Sequence, residues 1–167
     1  MIIILLAIVV SGFIFVFTPK EKSLNVKTFV NDSGITDKNF RKFVAENKGK
    51  RIYYFCSSHD ANCAYVNNTV LKALAENLQV EVLEEIYYVD LSAAQPTATA
   101  KFKRQWGFAQ YPAFSYIDST VDPYVITSSI GFHNETPFNS DDIKKWLIDN
   151  GVWQLWQAQI KNPPAED

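Results

Sequence analysis

Residues 1–17, MIIILLAIVVSGFIFVF, carry no charge, and the polar run Thr18-Pro19-Lys20-Glu21-Lys22 ends them abruptly. At about 1.5 Å per helical residue this stretch spans roughly 25 Å, the short end of what crosses a hydrocarbon core. No basic stretch precedes it and no small-x-small site follows, so retention as a single-pass anchor over residues 1–18 is expected rather than cleavage as a signal. Residues 19–35 read as a linker in which the polar, mixed stretch Glu21 to Val30 can pair briefly as an edge strand.

Beyond the linker, helical and strand periodicities alternate. The run Thr36-Asp37-Lys38-Asn39 holds capping residues, and Phe40, Phe43 and Val44 then share one helical face. Arg51-Ile52-Tyr53-Tyr54-Phe55-Cys56 is β-rich and apolar enough on both sides for a central strand. A helix is expected from Asp60 to Leu78, with Asp60 as its N-cap and Ala64, Val66, Val70, Leu71, Leu74 and Leu78 as its stripe. Val82 to Leu91 reads as a second buried strand, parallel to the first through that crossover. A short helix over Thr97 to Trp106 precedes a hairpin whose strands are Ala113–Asp118 and Tyr124–Ile130. A capped helix from Ser140 closes the unit, giving one domain over residues 36–152 and an aromatic tail over 153–167. Trp153 and Trp156 in that tail are expected to cap the core.

Composition removes several function classes. Sixteen basic and eighteen acidic residues leave a net charge of -2, which offers no basic face to nucleic acid. Two cysteines are too few for a disulfide scaffold, and no C-x-x-C pair exists to hold zinc. No cofactor is expected. Cys56, His59, Asp60 and Cys63 have suitable donor chemistry for a metal but match no ligand spacing, so no metal site is assigned.

From about Asp37 to Val152 the order helix, strand, helix, strand, helix, hairpin, helix resembles that of the thioredoxin superfamily. Three local features carry the resemblance. The junction from Tyr53-Tyr54-Phe55 to His59-Asp60-Ala61-Asn62-Cys63 has the spacing of the family's strand, Phe and W-C-x-x-C at the start of a helix. Tyr111-Pro112-Ala113-Phe114 opens a strand where the family places a cis-proline, and Gly131 follows the second hairpin strand. The resemblance implies a three-layer α/β/α sandwich around a mixed sheet, here preceded by one N-terminal transmembrane helix. It also implies a cis Tyr111–Pro112 bond, which would offer the Tyr111 backbone to an extended chain crossing the site.

The departure from the family is as informative as the match. Asp60 occupies the nucleophile's place and Cys63 the resolving position, a degenerate D-x-x-C. A carboxylate cannot form the mixed disulfide that a thiolate at a helix N-terminus forms, but it can cap the same helix. Cys63 reads either as a small apolar filler with an inert thiol or as the partner of Cys56, since C-x6-C across a strand–helix turn allows the Cα separation of about 5.5 Å that a disulfide needs.

Three functions follow as expectations. The first is a membrane-tethered, redox-inactive module binding a protein or peptide through His59, Asp60, Ala61, Asn62, Tyr111 and Pro112, with apolar contacts from Tyr53, Tyr54 and Phe114 if these are not wholly in the core. The second is a thiol-disulfide oxidoreductase using Cys63 with Cys56 as its catalytic pair. It would resemble the tethered thioredoxin-like proteins of cytochrome maturation or bacteriocin export. The third is a structural subunit of a membrane complex, contacted through the anchor and the tryptophan tail. Lys20, Lys22 and Lys27 would by the positive-inside rule keep the domain cytoplasmic. Tethered thioredoxin-like proteins usually face outward, and that side is the expectation taken.

Overall fold

The computed structural model describes residues 29–161. The expected anchor over residues 1–18 lies outside that range, and among the described residues no helix is long and apolar enough to cross a membrane.

Five strands form one mixed sheet in the order β1-β3-β2-β4-β5. They are β1 (Val30–Thr36), β2 (Lys50–Cys56), β3 (Leu83–Asp90), β4 (Ala113–Asp118) and β5 (Val125–Gly131). The central strand β2 runs parallel to β3, with Tyr53 opposite Tyr87, and antiparallel to β4, with Tyr53 opposite Ser115. The β4–β5 hairpin is the one the sequence predicts. Strand β1 pairs in parallel with β3 from Val30 onward, so the sheet includes part of the stretch read as linker. Val30 and Ile35 are both buried in this strand, while Asp32, Ser33 and Gly34 between them are exposed and hide its periodicity.

Strand alternation explains the layers. Ile52, Tyr54 and Cys56 point into one core, while Tyr53 and Phe55 point into the other. The second core is closed by α1 (Phe40–Glu46) and α4 (Pro96–Gln105), with Phe40 packed edge-on against Trp106 at 4.3 Å and Tyr53 at 4.8 Å. The first core is closed by the long segment after β2, by α5 (Ser140–Asp149) and by α6 (Val152–Lys161). A three-layer α/β/α arrangement is therefore present, as the resemblance implies. Trp153 and Trp156 are buried in this core, so the described part of the tail packs onto the domain as the sequence predicts.

The helix expected as one piece from Asp60 to Leu78 is divided. It comprises α2 (Ala61–Tyr65), a π-helical stretch (Val66–Leu71) and α3 (Lys72–Leu78). Val66 and Asn67 are both buried, and so are Val70 and Leu71. These two pairs, four residues apart, form the buried side of the stretch.

Candidate functional site

Strand β2 ends at Cys56, and the backbone leaves the sheet through Ser57-Ser58-His59-Asp60 before α2 begins. Asp60 has extended backbone angles and its Oδ1 accepts a hydrogen bond from the Cys63 amide at 3.0 Å. It is the N-cap that the sequence predicts. Its carboxylate occupies the positive end of the helix, where a thiolate would otherwise be stabilised. Replacing Asp60 with Ala is expected to cost about 1 kcal/mol of stability in denaturant unfolding, and Asp60→Asn much less, because an amide oxygen caps nearly as well.

Cys63 is not an inert filler. Its sulfur is bonded to that of Cys56, with the two Cα atoms 5.7 Å apart. Each cysteine is only 2% exposed, so the bond lies beneath the loop and not on the surface. The reading of Cys63 as a free buried thiol is thus corrected. The end of a central strand and the first turn of the following helix are close enough for the pairing that the C-x6-C spacing allows.

Both sulfurs also accept hydrogen bonds. The Tyr54 hydroxyl donates to Cys56 Sγ at 2.8 Å, and the Ser57 amide donates to Cys63 Sγ at 3.1 Å. Tyr54 is held by its rings: it stacks on Phe114 at 4.7 Å and leans on Tyr88 at 5.9 Å. Burial, then the neighbouring Tyr88 and Asp60, push its phenol well above the ordinary tyrosine value, so it stays a proton donor. Tyr53, Tyr54 and Phe114 are almost wholly buried. They are core residues, so the condition on which they would bring apolar contacts to the outer face is not met.

The loop is fastened on its other side by hydroxyls. Asp90 Oδ1 accepts from the Ser92 amide at 2.8 Å and from its hydroxyl at 2.5 Å. Ser92 Oγ in turn accepts from the Ser58 amide at 2.7 Å and lies 2.9 Å from Ser58 Oγ. Burial and the Asp90 carboxylate raise the Tyr88 phenol as well.

Across from this loop, the Tyr111–Pro112 bond is cis. Pro112 is buried and its carbonyl accepts from the Phe132 amide at 2.8 Å, while Tyr111 is half-buried with Lys103 Nζ 5.6 Å from its ring centre. A second cis bond, Asp122–Pro123, lies in the β4–β5 turn at the far end of the sheet and was not anticipated. Gly131, the third feature of the resemblance, pairs with Ala113. A Cβ there would meet the Gln110 carbonyl at 3.4 Å, an ordinary contact, so space does not require glycine.

Both groups of candidate residues adjoin the end of the sheet where β2 ends at Cys56 and β4 begins at Ala113, with Phe55 paired to Ala113. His59 and Ala61 are exposed, and Asp60, Asn62 and Tyr111 are half-buried. Asn62 Nδ2 donates to Asn134 Oδ1 at 3.0 Å, joining α2 to the loop after β5. Beside that bond Gln110, His133, Asn134, Glu135 and Thr136 line an open polar cleft of about 410 Å³. Sequence reasoning missed these residues. The available signal was the run of five exposed polar-type positions His133-Asn134-Glu135-Thr136-Pro137 between Gly131 and the capped helix α5. Among the described residues no cluster of three His, Cys, Asp or Glu side chains is placed to hold a metal.

No family model matches this sequence. No curated protein matches it. Among solved structures the chain is similar to a thioredoxin from Thermus thermophilus, with TM-score 0.46, 13% identity, 83% of this chain and 98% of that one covered. It is also similar to a Plasmodium falciparum thioredoxin, with TM-score 0.43, 14% identity and coverage of 75% and 92%. The C-terminal domain of Neisseria meningitidis DsbD in its oxidised form gives TM-score 0.41, 15% identity and coverage of 68% and 88%.

Proposed function

We propose that this chain is a membrane-tethered binding module in which a partner protein or peptide lies across the degenerate site, and that it does not exchange disulfides with that partner. The observation that carries this reading is the pairing of Asp60 at the helix N-terminus with a cysteine pair buried behind it. The position from which a thiolate would attack holds a carboxylate, and neither sulfur reaches solvent. What stays accessible is a surface suited to polar and main-chain recognition: His59, Ala61, Asn62, Tyr111 and the Gln110–Asn134 cleft. Residues 1–17 would hold the module in a bilayer, with the domain facing away from the cytoplasm.

The oxidoreductase alternative is favoured by one observation, that Cys56 and Cys63 are bonded to each other. It requires an incoming thiolate to reach a sulfur that the loop covers.

Site-specific photocrosslinking in native membranes tests the binding reading. A crosslinking residue at Ala61 or Gln110 is expected to capture one partner of the same mass. The same group at exposed Val121, in the turn at the opposite end of β4, is expected to capture none. Equal labelling from all three positions, or none from the first two, overturns the proposal.

A further inference from the structure

The disulfide closes a ring around the segment that the binding reading uses. Cys56 and Cys63 are its two ends, and Ser57, Ser58, His59, Asp60, Ala61 and Asn62 are everything between. We propose that the Cys56–Cys63 bond is a redox-controlled clasp: the oxidised form holds this loop in its binding shape, and two-electron reduction by a dithiol releases it. This rests on the binding reading for the loop's purpose, but not for the structural change itself.

The reason for a change is steric. Two sulfurs that are no longer bonded must stand roughly 1.5 to 2 Å farther apart to reach ordinary van der Waals contact. The gap enclosed by Tyr54, Cys56, Ser57, Ser58, Cys63, Asn67 and Tyr88 is about 10 Å³, at most the room of a single water molecule. The sulfurs therefore cannot separate inside the existing core, and one of the two chain segments must shift.

The topology decides which segment shifts. Cys56 sits on β2, which is paired on both sides, to β3 up to Cys56 and to β4 up to Phe55. Cys63 sits in the five-residue α2, capped by a single carboxylate and followed at once by the π-helical stretch, whose altered pitch is a joint in the helix. Helix α2 is the looser party. Its displacement strains the Ser57 amide bond to Cys63 Sγ, the Asp60 cap on the Cys63 amide, and the Asn62–Asn134 bond that ties the loop to the polar cleft. Reduction would thereby uncouple the two halves of the binding face.

The exchange balances without any further participant. When a local opening of α2 uncovers Cys63, a dithiol thiolate attacks its sulfur, the Cys56–Cys63 bond breaks, and the second thiol of the reductant resolves the mixed adduct. The reductant leaves as a disulfide, and two electrons and two protons pass to Cys56 and Cys63. The Tyr54 hydroxyl and the Ser57 amide already stand as donors to the two sulfurs that become thiols.

Amide hydrogen exchange on the full chain in detergent, before and after treatment with dithiothreitol, reads the clasp directly. Exchange at Ser57, Asp60 and Cys63 is expected to rise about tenfold or more on reduction, while amides of the β4–β5 hairpin keep their protection. Cys63→Ser and Cys63→Ala variants should show the reduced pattern at once and ignore dithiothreitol. Unchanged exchange in the loop overturns the clasp, as do thiols that appear only with unfolding of the whole sheet or variants that keep the oxidised pattern. Because no partner enters this measurement, a failed crosslinking result with the exchange difference intact would remove the binding reading and leave the clasp.

Discussion

Purified full chain in detergent is expected to reduce insulin disulfides no faster than the dithiothreitol that drives the assay, whereas an Asp60→Cys variant should work roughly a hundredfold faster or more. The argument is positional. Asp60 stands at the helix N-terminus with its side chain directed back at the Cys63 amide, 3.0 Å away. A thiol there would gain the exposure and the dipole stabilisation that neither natural cysteine has. It could also attack Cys63 within the same loop, moving the disulfide to the 60–63 pair and leaving Cys56 as a thiol. The variant would then hold a C-x-x-C pair at the end of the sheet beside the cis Tyr111–Pro112 bond. Activity in the natural chain would overturn the binding reading in favour of the Cys56–Cys63 enzyme. Inactivity of both proteins would show that position 60 is not where a nucleophile belongs.

The parts of this fold that were legible in the sequence are those where one physical signal dominates. Strand β4 was legible because Ala113–Asp118 is bounded by a proline and a turn, and the cap at Asp60 because a short acidic side chain precedes a clean apolar stripe. Strand β1 was obscured because its centre, Asp32-Ser33-Gly34, is exposed and irregular in register, and only the sheet beside it makes it a strand. The π stretch was obscured because Val66, Val70 and Leu71 fit a regular stripe, and the burial of Asn67 is set by packing rather than by its own polarity. At the site, the spacing of the cysteines permitted a bond but could not choose it, since that depends on how the first turn of α2 sits on the end of β2. The polar cleft was missed for a related reason: Gln110 and Asn134 are far apart in sequence and meet only because β4 and β5 pair.

Alkaline titration should unfold the domain cooperatively between about pH 10 and 12, with the tyrosinate absorbance of Tyr53, Tyr54 and Tyr88 appearing together with the loss of circular dichroism rather than before it. Tyr53 is pushed up to about 12, mainly by burial, with Arg51 opposing and Tyr87 adding to the shift. In the unfolded chain the same phenol titrates near the ordinary value of 10. The folded state therefore keeps a proton that the unfolded state has released, so the contribution is intact below pH 10 and drains away as the pH rises toward 12. For Tyr53 alone this amounts to roughly 3 kcal/mol. Tyr54 and Tyr88 are shifted in the same direction, by burial first in each case, and add to the slope. Tyr53 and Tyr54 lie buried on opposite faces of the central strand β2, so neither can ionise in place without putting a charge into a packed core, and half-buried Tyr88 sits beside Tyr54 on β3. Tyr53→Phe removes one of the three protons from the balance and should move the alkaline midpoint upward. If all tyrosines instead titrate near pH 10 with the circular dichroism unchanged, the phenols of β2 and β3 are not sealed from water, and the packing that positions Tyr54 over the disulfide fails with them.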